Sequence, residues 1–211
     1  MIILQFINND ESTPVLDLDG EPLKIGEEYK ILSSPLGGGR VYLADLGNSK
    51  CPNGVVQDSS RIPLPGTPVK FFTMKIGGDH LVHENLDVGI IFLTKTSKLC
   101  VNENIWKVGD YVIAPNQPPR FVVTGGTLGF PGPNNLKNWF KIEKYEMGRP
   151  NSYKLRYCLS KYICPDYNFN CADIGLTTNS GYNCLSLNNS PYPFGFYKLK
   201  KNDALLIIPY V

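Results

Sequence analysis

The sequence predicts an all-β fold of about twelve short strands with long loops, stapled by disulfides. The 20 glycines and 17 prolines are spread along all 211 residues. Turn residues scattered in this way separate short strands and suit long helices poorly. No stretch keeps apolar residues at helical spacing for three turns, so we expect almost no helix. Six cysteines, an even number, supply the expected bridges.

β-rich segments bounded by turn residues follow one another along the chain. Each is close to the usual strand length of about five or six residues. A hairpin turn at Gly37-Gly38-Gly39 separates the first two. In chain order, the predicted strands are residues 29–33, 40–44, 54–57, 69–74, 88–94, 105–108, 121–124, 139–144, 153–158, 174–178, 182–187 and 194–199.

An aromatic residue, a lysine and an aliphatic residue recur in five of these strands. In a strand the first and third residues face one side and the lysine faces the other. We therefore expect the aromatic and aliphatic side chains in the core and the lysines in water. Twelve strands with a repeated start suggest three four-strand units, a β-trefoil. The five triplets are Tyr29-Lys30-Ile31, Trp106-Lys107-Val108, Phe140-Lys141-Ile142, Tyr153-Lys154-Leu155 and Tyr197-Lys198-Leu199.

Composition excludes several classes of function. The net charge is +2, with basic and acidic residues interspersed, which gives no footprint for nucleic acid. No apolar run reaches the roughly 18 residues of a membrane span. We expect a single domain over residues 1–211, with loosely ordered tails at 1–13 and 202–211, and a monomer. The chain start lacks a basic signal region, so we expect the export signal to have been removed already.

The cysteines indicate disulfides and not a metal site. None of Cys51, Cys100, Cys158, Cys164, Cys171 and Cys184 forms a CxxC pair. Only His80 and His83 could assist a metal, so we expect neither metal nor cofactor. Three disulfides in an oxidising compartment are expected, although spacing leaves their pairing open. The sequence has no nucleophile elbow and no partner for either histidine, so we do not expect an enzyme.

Several motifs, in order along nearly the whole chain, resemble the Kunitz-type (soybean trypsin inhibitor) proteins. Within that family the chain looks most like the potato branch that includes cysteine protease inhibitors. Residues 24–27, 41–43 and 96–101 carry this closer likeness. The family likeness rests on residues 14–23, 29–32, 51–57, 98–101, 105–108, 139–143, 153–155 and 171–176.

The resemblance implies a β-trefoil with disulfides Cys51–Cys100 and Cys158–Cys171. Cys164 and Cys184 are then left over, and they either pair with each other or remain free thiols. The resemblance also implies a protein of the secretory pathway, vacuolar or extracellular, in plant defence or storage tissue. Its partner would be a target protease of the serine or cysteine class.

The resemblance places the inhibitory loop at Met74, Lys75, Ile76 and Gly77. Lys75 would reach the buried carboxylate of a trypsin-like specificity pocket, with Ile76 as its successor. Ile25 stands where the family has an asparagine that braces this loop, so the side-chain brace is missing. Gly77 and Gly78 also make the loop flexible.

Two other loops compete for the inhibitory role. Arg120 follows two prolines that stiffen its approach, and Arg149 lies at the tip of a turn before Pro150. Either could enter a papain-like cleft, where blocking requires shape more than a particular basic residue. Asn188 is a glycosylation candidate, in the sequon Asn188-Asn189-Ser190. The alternative function is a storage or small-ligand and carbohydrate-binding trefoil without inhibitory activity.

Overall fold

The structure is a computed structural model. It describes residues 12–33, 39–46, 51, 53–58, 66–73, 78–94, 104–109, 120–129, 135–147, 149–158, 171–188 and 190–200. These ranges hold a 3-10 turn at Leu136–Asn138 and strands β1 (Tyr29–Ser33), β2 (Val41–Ala44), β3 (Gly54–Gln57), β4 (Val69–Thr73), β5 (Asp87–Phe92), β6 (Trp106–Val108), β7 (Val122–Thr124), β8 (Phe140–Lys144), β9 (Tyr153–Tyr157), β10 (Ala172–Asn179), β11 (Tyr182–Asn188) and β12 (Phe194–Lys198).

The strand pairing forms a β-trefoil, as predicted. Antiparallel pairs β1–β4, β4–β5, β5–β8, β8–β9, β9–β12 and β12–β1 close a ring of six strands. The hairpins β2–β3, β6–β7 and β10–β11 complete the three units, and β3 pairs with both β11 and β7. Every predicted strand is present, with ends within two residues of its predicted bounds. No helix in the described ranges is long and apolar enough to cross a membrane.

The recurring triplet predicts the inward-facing residues correctly in four of its five occurrences. In β1, β6, β8 and β9 the aromatic and aliphatic residues are buried and the lysine between them is partly exposed. The prediction is wrong for Tyr197-Lys198-Leu199. There Phe196 pairs with Ile31 of β1, which puts Phe194 and Phe196 in the core and Tyr197 on the opposite face.

Aromatic rings connect the strands across the core. Phe196 of β12 packs edge-on against Phe71 of β4, with 5.5 Å between ring centroids. Phe71 contacts Tyr29 of β1 at 5.9 Å, and Phe196 contacts Tyr153 of β9 at 5.8 Å. These four rings join four of the six ring strands in one buried row.

The outward faces of β8 and β9 carry alternating charges. Lys154 lies 3.4 Å from Glu143 and 3.2 Å from Asp173, and Arg156 lies 3.3 Å from Glu143. Lys141 lies 3.6 Å from Asp87 on β5. The triplet lysines of β8 and β9 therefore face outward, as predicted, and they join neighbouring strands through ion pairs.

Two core tyrosines attach the N-terminal segment (residues 12–28) to the barrel. The Tyr153 phenol oxygen accepts a 2.9 Å hydrogen bond from the Leu16 N–H, and that of Tyr29 accepts one of 2.9 Å from the Lys24 N–H. Burial raises the pKa of both phenols, which keeps them neutral. Each tyrosine thus packs its ring in the core and binds the segment with its oxygen.

The cysteines agree in part with the sequence-based expectations. Cys158 and Cys171 form a disulfide, and Cys51 is disulfide-bonded. Its expected partner Cys100, and also Cys164, lie outside the described residues. Of the two alternatives for Cys164 and Cys184, the bridge between them is wrong, because Cys184 is a free thiol.

The environment of Cys184 accounts for this correction. Its side chain is 1% exposed and packs in a small apolar cluster with Ala44 and Val56. Burial raises the pKa of the thiol, which keeps it protonated. The expected loose tails at 1–13 and 202–211 fall almost wholly outside the described residues, and the assignment of a single domain stays a prediction.

Replacing Tyr153→Phe tests the attachment of the N-terminal segment. The change keeps the ring in the core and removes the acceptor of the Leu16 N–H. We expect the free energy of unfolding to fall by about 1–3 kcal/mol. Hydrogen exchange at the Leu16 amide should accelerate, while the Lys24 amide, held by Tyr29, serves as an internal control. Unchanged exchange at Leu16 would contradict the assignment.

Candidate functional site

The predicted inhibitory residues belong to the β4–β5 loop (residues 74–86). Met74, Lys75, Ile76 and Gly77 themselves lie outside the described residues. The structure describes both ends of the loop: Thr73 at the end of β4, and the return segment (residues 78–83). Hydrogen bonds and packing contacts hold each of these two ends.

The first end is fixed by β4 and its packing. Thr73 pairs with Val88 of β5. The ring of Phe72 lies edge-on to Trp139, with 5.4 Å between centroids, and covers Gly89. A Cβ at Gly89 would lie 2.0 Å from the Phe72 ring, so glycine is required for this close approach. The chain therefore leaves the barrel at a defined position.

The return segment lies between two stretches of the N-terminal segment. Leu81 forms an antiparallel bridge with Lys24. Val82 is fully buried; its N–H donates to Leu23 O at 2.9 Å, and its carbonyl accepts from the Val15 N–H at 2.9 Å. Main-chain bonds on both sides thus hold the second end of the loop.

A turn at Lys24-Ile25-Gly26-Glu27 contacts both ends of the loop. The Ile25 N–H donates to His80 O at 2.9 Å, and the Gly26 N–H donates to Phe71 O at 3.3 Å. Gly26 adopts φ +81°, a conformation that glycine adopts without strain. These main-chain hydrogen bonds therefore brace both ends of the loop, while the Ile25 side chain packs against the core.

A polar contact joins the return segment to the start of the N-terminal segment. His83 Nδ1 lies 2.5 Å from Ser12 O, and Nε2 lies 2.9 Å from Asp79 Oδ2. The Leu81 N–H donates to Asp79 Oδ1, which with His83 lowers the pKa of this carboxyl. His80 is exposed, and its backbone adopts φ +58°. No group of three His, Cys, Asp or Glu among the described residues is placed to hold a metal ion.

A second candidate surface is the β8–β9 turn (residues 145–152). The Tyr145 N–H donates to Ser152 O at 3.0 Å, and the Ser152 N–H donates to Arg149 O at 3.1 Å. Met147 is 85% exposed, the highest value among the described large apolar side chains, and Arg149 is also exposed. An apolar and a basic side chain thus project together from a hydrogen-bonded base.

This turn is also tied to the N-terminal segment. Asn151, at φ +60°, donates from Nδ2 to Asp17 O at 3.0 Å. Asp17 is 2% exposed, and its carboxylate accepts from the N–H groups of Asp19 and Glu21. Asp17 therefore forms a turn, which fixes one side of the β8–β9 turn.

Arg120 is held against the protein's own surface. Its guanidinium lies 5.8 Å from the Tyr157 ring centroid, and its carbonyl accepts from the Leu187 N–H at 2.8 Å. A side chain stacked in this way has to leave its ring before it can enter a protease. Arg149 is the better placed of the two alternative arginines.

Asn188 uses its side chain inside the fold. Its Oδ1 accepts from the Ser190 N–H at 2.8 Å, and its Nδ2 lies 3.4 Å from Leu176 O. A sugar attached to Nδ2 would have to displace the second contact. Glycosylation of Asn188 stays a prediction.

Sequence reasoning missed two parts of this site. His83 contacts both Asp79 and Ser12, and Ser12 lies 71 residues away in the chain. No local sequence pattern predicts this contact. Sequence reasoning also did not select Met147, which lies close to Arg149. A large apolar residue next to a turn that contains glycine and proline indicates an exposed side chain.

Comparison with known proteins identifies the family. The model of the Kunitz legume family, described as trypsin and protease inhibitor, matches residues 15–198. The chain belongs to this family. Cysteine protease inhibitor 7 of Solanum tuberosum is 43% identical over 176 residues, which cover 80% of this chain and 86% of that protein.

Solved Kunitz structures share the fold. The Kunitz-type cysteine protease inhibitor PCPI-3 from potato superposes with a TM-score of 0.81 and 65% identity, over 90% of this chain and all of that one (100%). Soybean trypsin inhibitor superposes with a TM-score of 0.66 and 27% identity, over 88% of this chain and 99% of that one. The β-trefoil and the family are thereby confirmed.

Replacing Gly26→Ala tests the main-chain brace, with Gly181→Ala as its matched control. Both glycines have nearly the same φ, +81° and +83°, and neither has an atom within 4 Å of an added Cβ. Each change should therefore cost about 1–2 kcal/mol of backbone strain. Only Gly26→Ala should accelerate hydrogen exchange at the Ile25 and Val82 amides. Equal acceleration in both variants would show that the turn does not brace the loop.

Proposed function

We propose that this Kunitz inhibitor blocks a papain-like cysteine protease, and that its β8–β9 turn enters the cleft. As a member of the family it is a protease inhibitor and not an enzyme. The observation that carries the proposal is the exposure of Met147, 85%, on a turn whose base is fixed by hydrogen bonds. The high identity to a potato Kunitz-type cysteine protease inhibitor supports the choice of class.

The physical basis is a preorganised contact. A flexible peptide loses conformational freedom when it enters a cleft, and a fixed turn avoids much of that cost. Methionine and arginine are both enriched at protein–protein interfaces relative to the rest of the protein surface. A papain-like enzyme is then blocked by occupation of its cleft, with no requirement for a peptide bond in cleavable register.

The substitutions Met147→Ala and Arg149→Ala test this proposal, with Leu128→Ala as control. Leu128 is 66% exposed on a different loop, so its change removes a comparable exposed apolar side chain. We expect Met147→Ala to weaken papain inhibition by about tenfold or more, because hot-spot side chains contribute over 1 kcal/mol. Arg149→Ala should have a smaller effect. The inhibition constant against papain, from steady-state titration, is the measurement.

Papain inhibition that survives both substitutions unchanged would remove the β8–β9 turn from the proposal and leave the protease class intact. Failure of the parent protein to inhibit papain would refute the class. If trypsin were not inhibited either, the alternative of a storage or small-ligand-binding trefoil would gain support.

A second candidate is inhibition of a trypsin-like serine protease through Lys75. It is favoured by the main-chain brace, since the turn at Ile25 and Gly26 bonds both ends of the loop that carries Lys75. A loop held at both ends presents its peptide bond at low entropic cost. The lysine would then supply a charge-assisted contact to the carboxylate of the specificity pocket.

Lys75→Ala tests the second candidate, with Lys24→Ala as the matched control. Lys24 is exposed close to the same loop and contributes to the brace through its main chain, so its substitution removes a nearby charge alone. We expect Lys75→Ala to weaken trypsin inhibition by about thirtyfold or more, the loss of a hot-spot residue. Equal losses in the two variants would indicate general electrostatic attraction.

One disulfide supports the proposed compartment. The Cys158–Cys171 bridge persists in oxidising surroundings, which supports the secretory pathway, the vacuole or the extracellular space. We propose that the chain acts there as a monomer in plant defence or storage tissue, with a protease as its partner.

A further inference from the structure

We propose that His83 is a positioning residue for the β4–β5 loop, and that it holds the loop fully only when its imidazole carries both ring protons. The inference rests on the second candidate function, in which this loop meets a trypsin-like protease. In this role His83 restrains the second end of the loop and does not itself contact the enzyme.

The geometry places an acceptor at each ring nitrogen. Nδ1 lies 2.5 Å from the Ser12 carbonyl oxygen. Nε2 lies 2.9 Å from Oδ2 and 3.1 Å from Oδ1 of Asp79. The His83 side chain is only 13% exposed, whereas the Asp79 side chain is 54% exposed, so water reaches the carboxylate more readily than the ring. One ring therefore joins the return segment to the start of the N-terminal segment.

The chemistry of the partners determines the required protonation state. A carbonyl oxygen accepts hydrogen bonds, and an ionised carboxylate accepts only. Both contacts are therefore made when both ring nitrogens donate, as in the imidazolium. A neutral imidazole has a single N–H, so it keeps one contact and turns a lone pair toward the other acceptor.

Among the charged groups near His83, Asp79 is the one that contacts the imidazole directly. The Leu81 N–H and His83 keep the pKa of the Asp79 carboxyl low, so it remains an anion. Lys24 lies opposite Leu81 on the neighbouring stretch. Glu84 follows His83, and it interacts with Lys144 and Glu146 at the end of β8.

The contact acts at the point where the loop rejoins the barrel. Asp79 follows Gly78, which carries little conformational restraint of its own. A charge-assisted bond from His83 to Asp79 supplies that restraint. The imidazolium holds the loop end by two contacts and the neutral imidazole holds it by one, so acid favours the fully held loop end.

The experiment compares the parent protein with His83→Gln, and uses His80→Asn as its control. His80 is the only other histidine of the chain, it is exposed, and asparagine tolerates its φ of +58°. The dissociation constant for trypsin is measured at pH 5.5 and pH 8. The ratio of variant to parent at each pH cancels the titration of the protease itself.

We expect the ratio for His83→Gln to be about tenfold at pH 5.5 and about threefold or less at pH 8. The ratio for His80→Asn should stay near one at both pH values. A ratio for His83→Gln that does not change with pH would overturn the proposal, because a merely structural role would give that result. If His83→Gln fails to fold, Asp79→Asn keeps an acceptor for the Leu81 N–H but removes the charge that faces His83, and it should give a pH-dependent ratio in the same direction.

A readout without protease separates this proposal from the function on which it rests. Nitrogen NMR of the free protein at pH 5.5 should show protons on both ring nitrogens of His83, protected from exchange with water. The Val82 amide should exchange faster in His83→Gln than in the parent at pH 5.5. Absence of the two protected ring protons would overturn the proposal that His83 donates to both acceptors. Trypsin inhibition indifferent to Lys75→Ala would instead refute the second candidate function, and the positioning role with it.

Discussion

Tyr29 and Tyr153 each bury an aromatic ring in the barrel and keep a phenol oxygen at its edge. Because those oxygens accept the N–H groups of Lys24 and Leu16, the N-terminal segment has a fixed path across the barrel. The return segment and the β8–β9 turn both bind that segment, through Leu23 and Asp17 among others. The two candidate surfaces thus depend on the same pair of core side chains, one from the first unit of the trefoil and one from the third.

The contacts that link the N-terminal segment to the two candidate surfaces are mostly hydrogen bonds of main-chain groups. Main-chain groups bond in the same way whatever side chain they carry, so a brace of this kind does not depend on the side chain of Ile25. The same property leaves the loop tip free to vary, because its support does not depend on the residues that meet a protease. A family with this construction can change its targets by changing a few exposed residues on an unchanged barrel.

The strands could be predicted from sequence because alternation and turn residues are local signals. Where β12 departs from the triplet rule, the reason is the pairing of Phe196 with Ile31, which lies far away in the chain. The free state of Cys184 depends on the apolar cluster around it, and the contact of His83 with Ser12 depends on the fold of the whole N-terminal segment. The residues of the β4–β5 loop were predicted from family likeness, whereas the contacts that support the two ends of this loop follow only from the three-dimensional structure.

The Cys158–Cys171 disulfide has a consequence for a protein that meets proteases. Its sequence separation is 13, and strands β10, β11 and β12 all follow it. A backbone cut anywhere between the two cysteines leaves two polypeptides still joined through sulfur. The C-terminal fragment, which supplies β12 to the closed ring between β1 and β9, then remains tethered beside its partners. Such a nicked molecule keeps its strands at high effective concentration, so a single cleavage there does not dismantle the barrel.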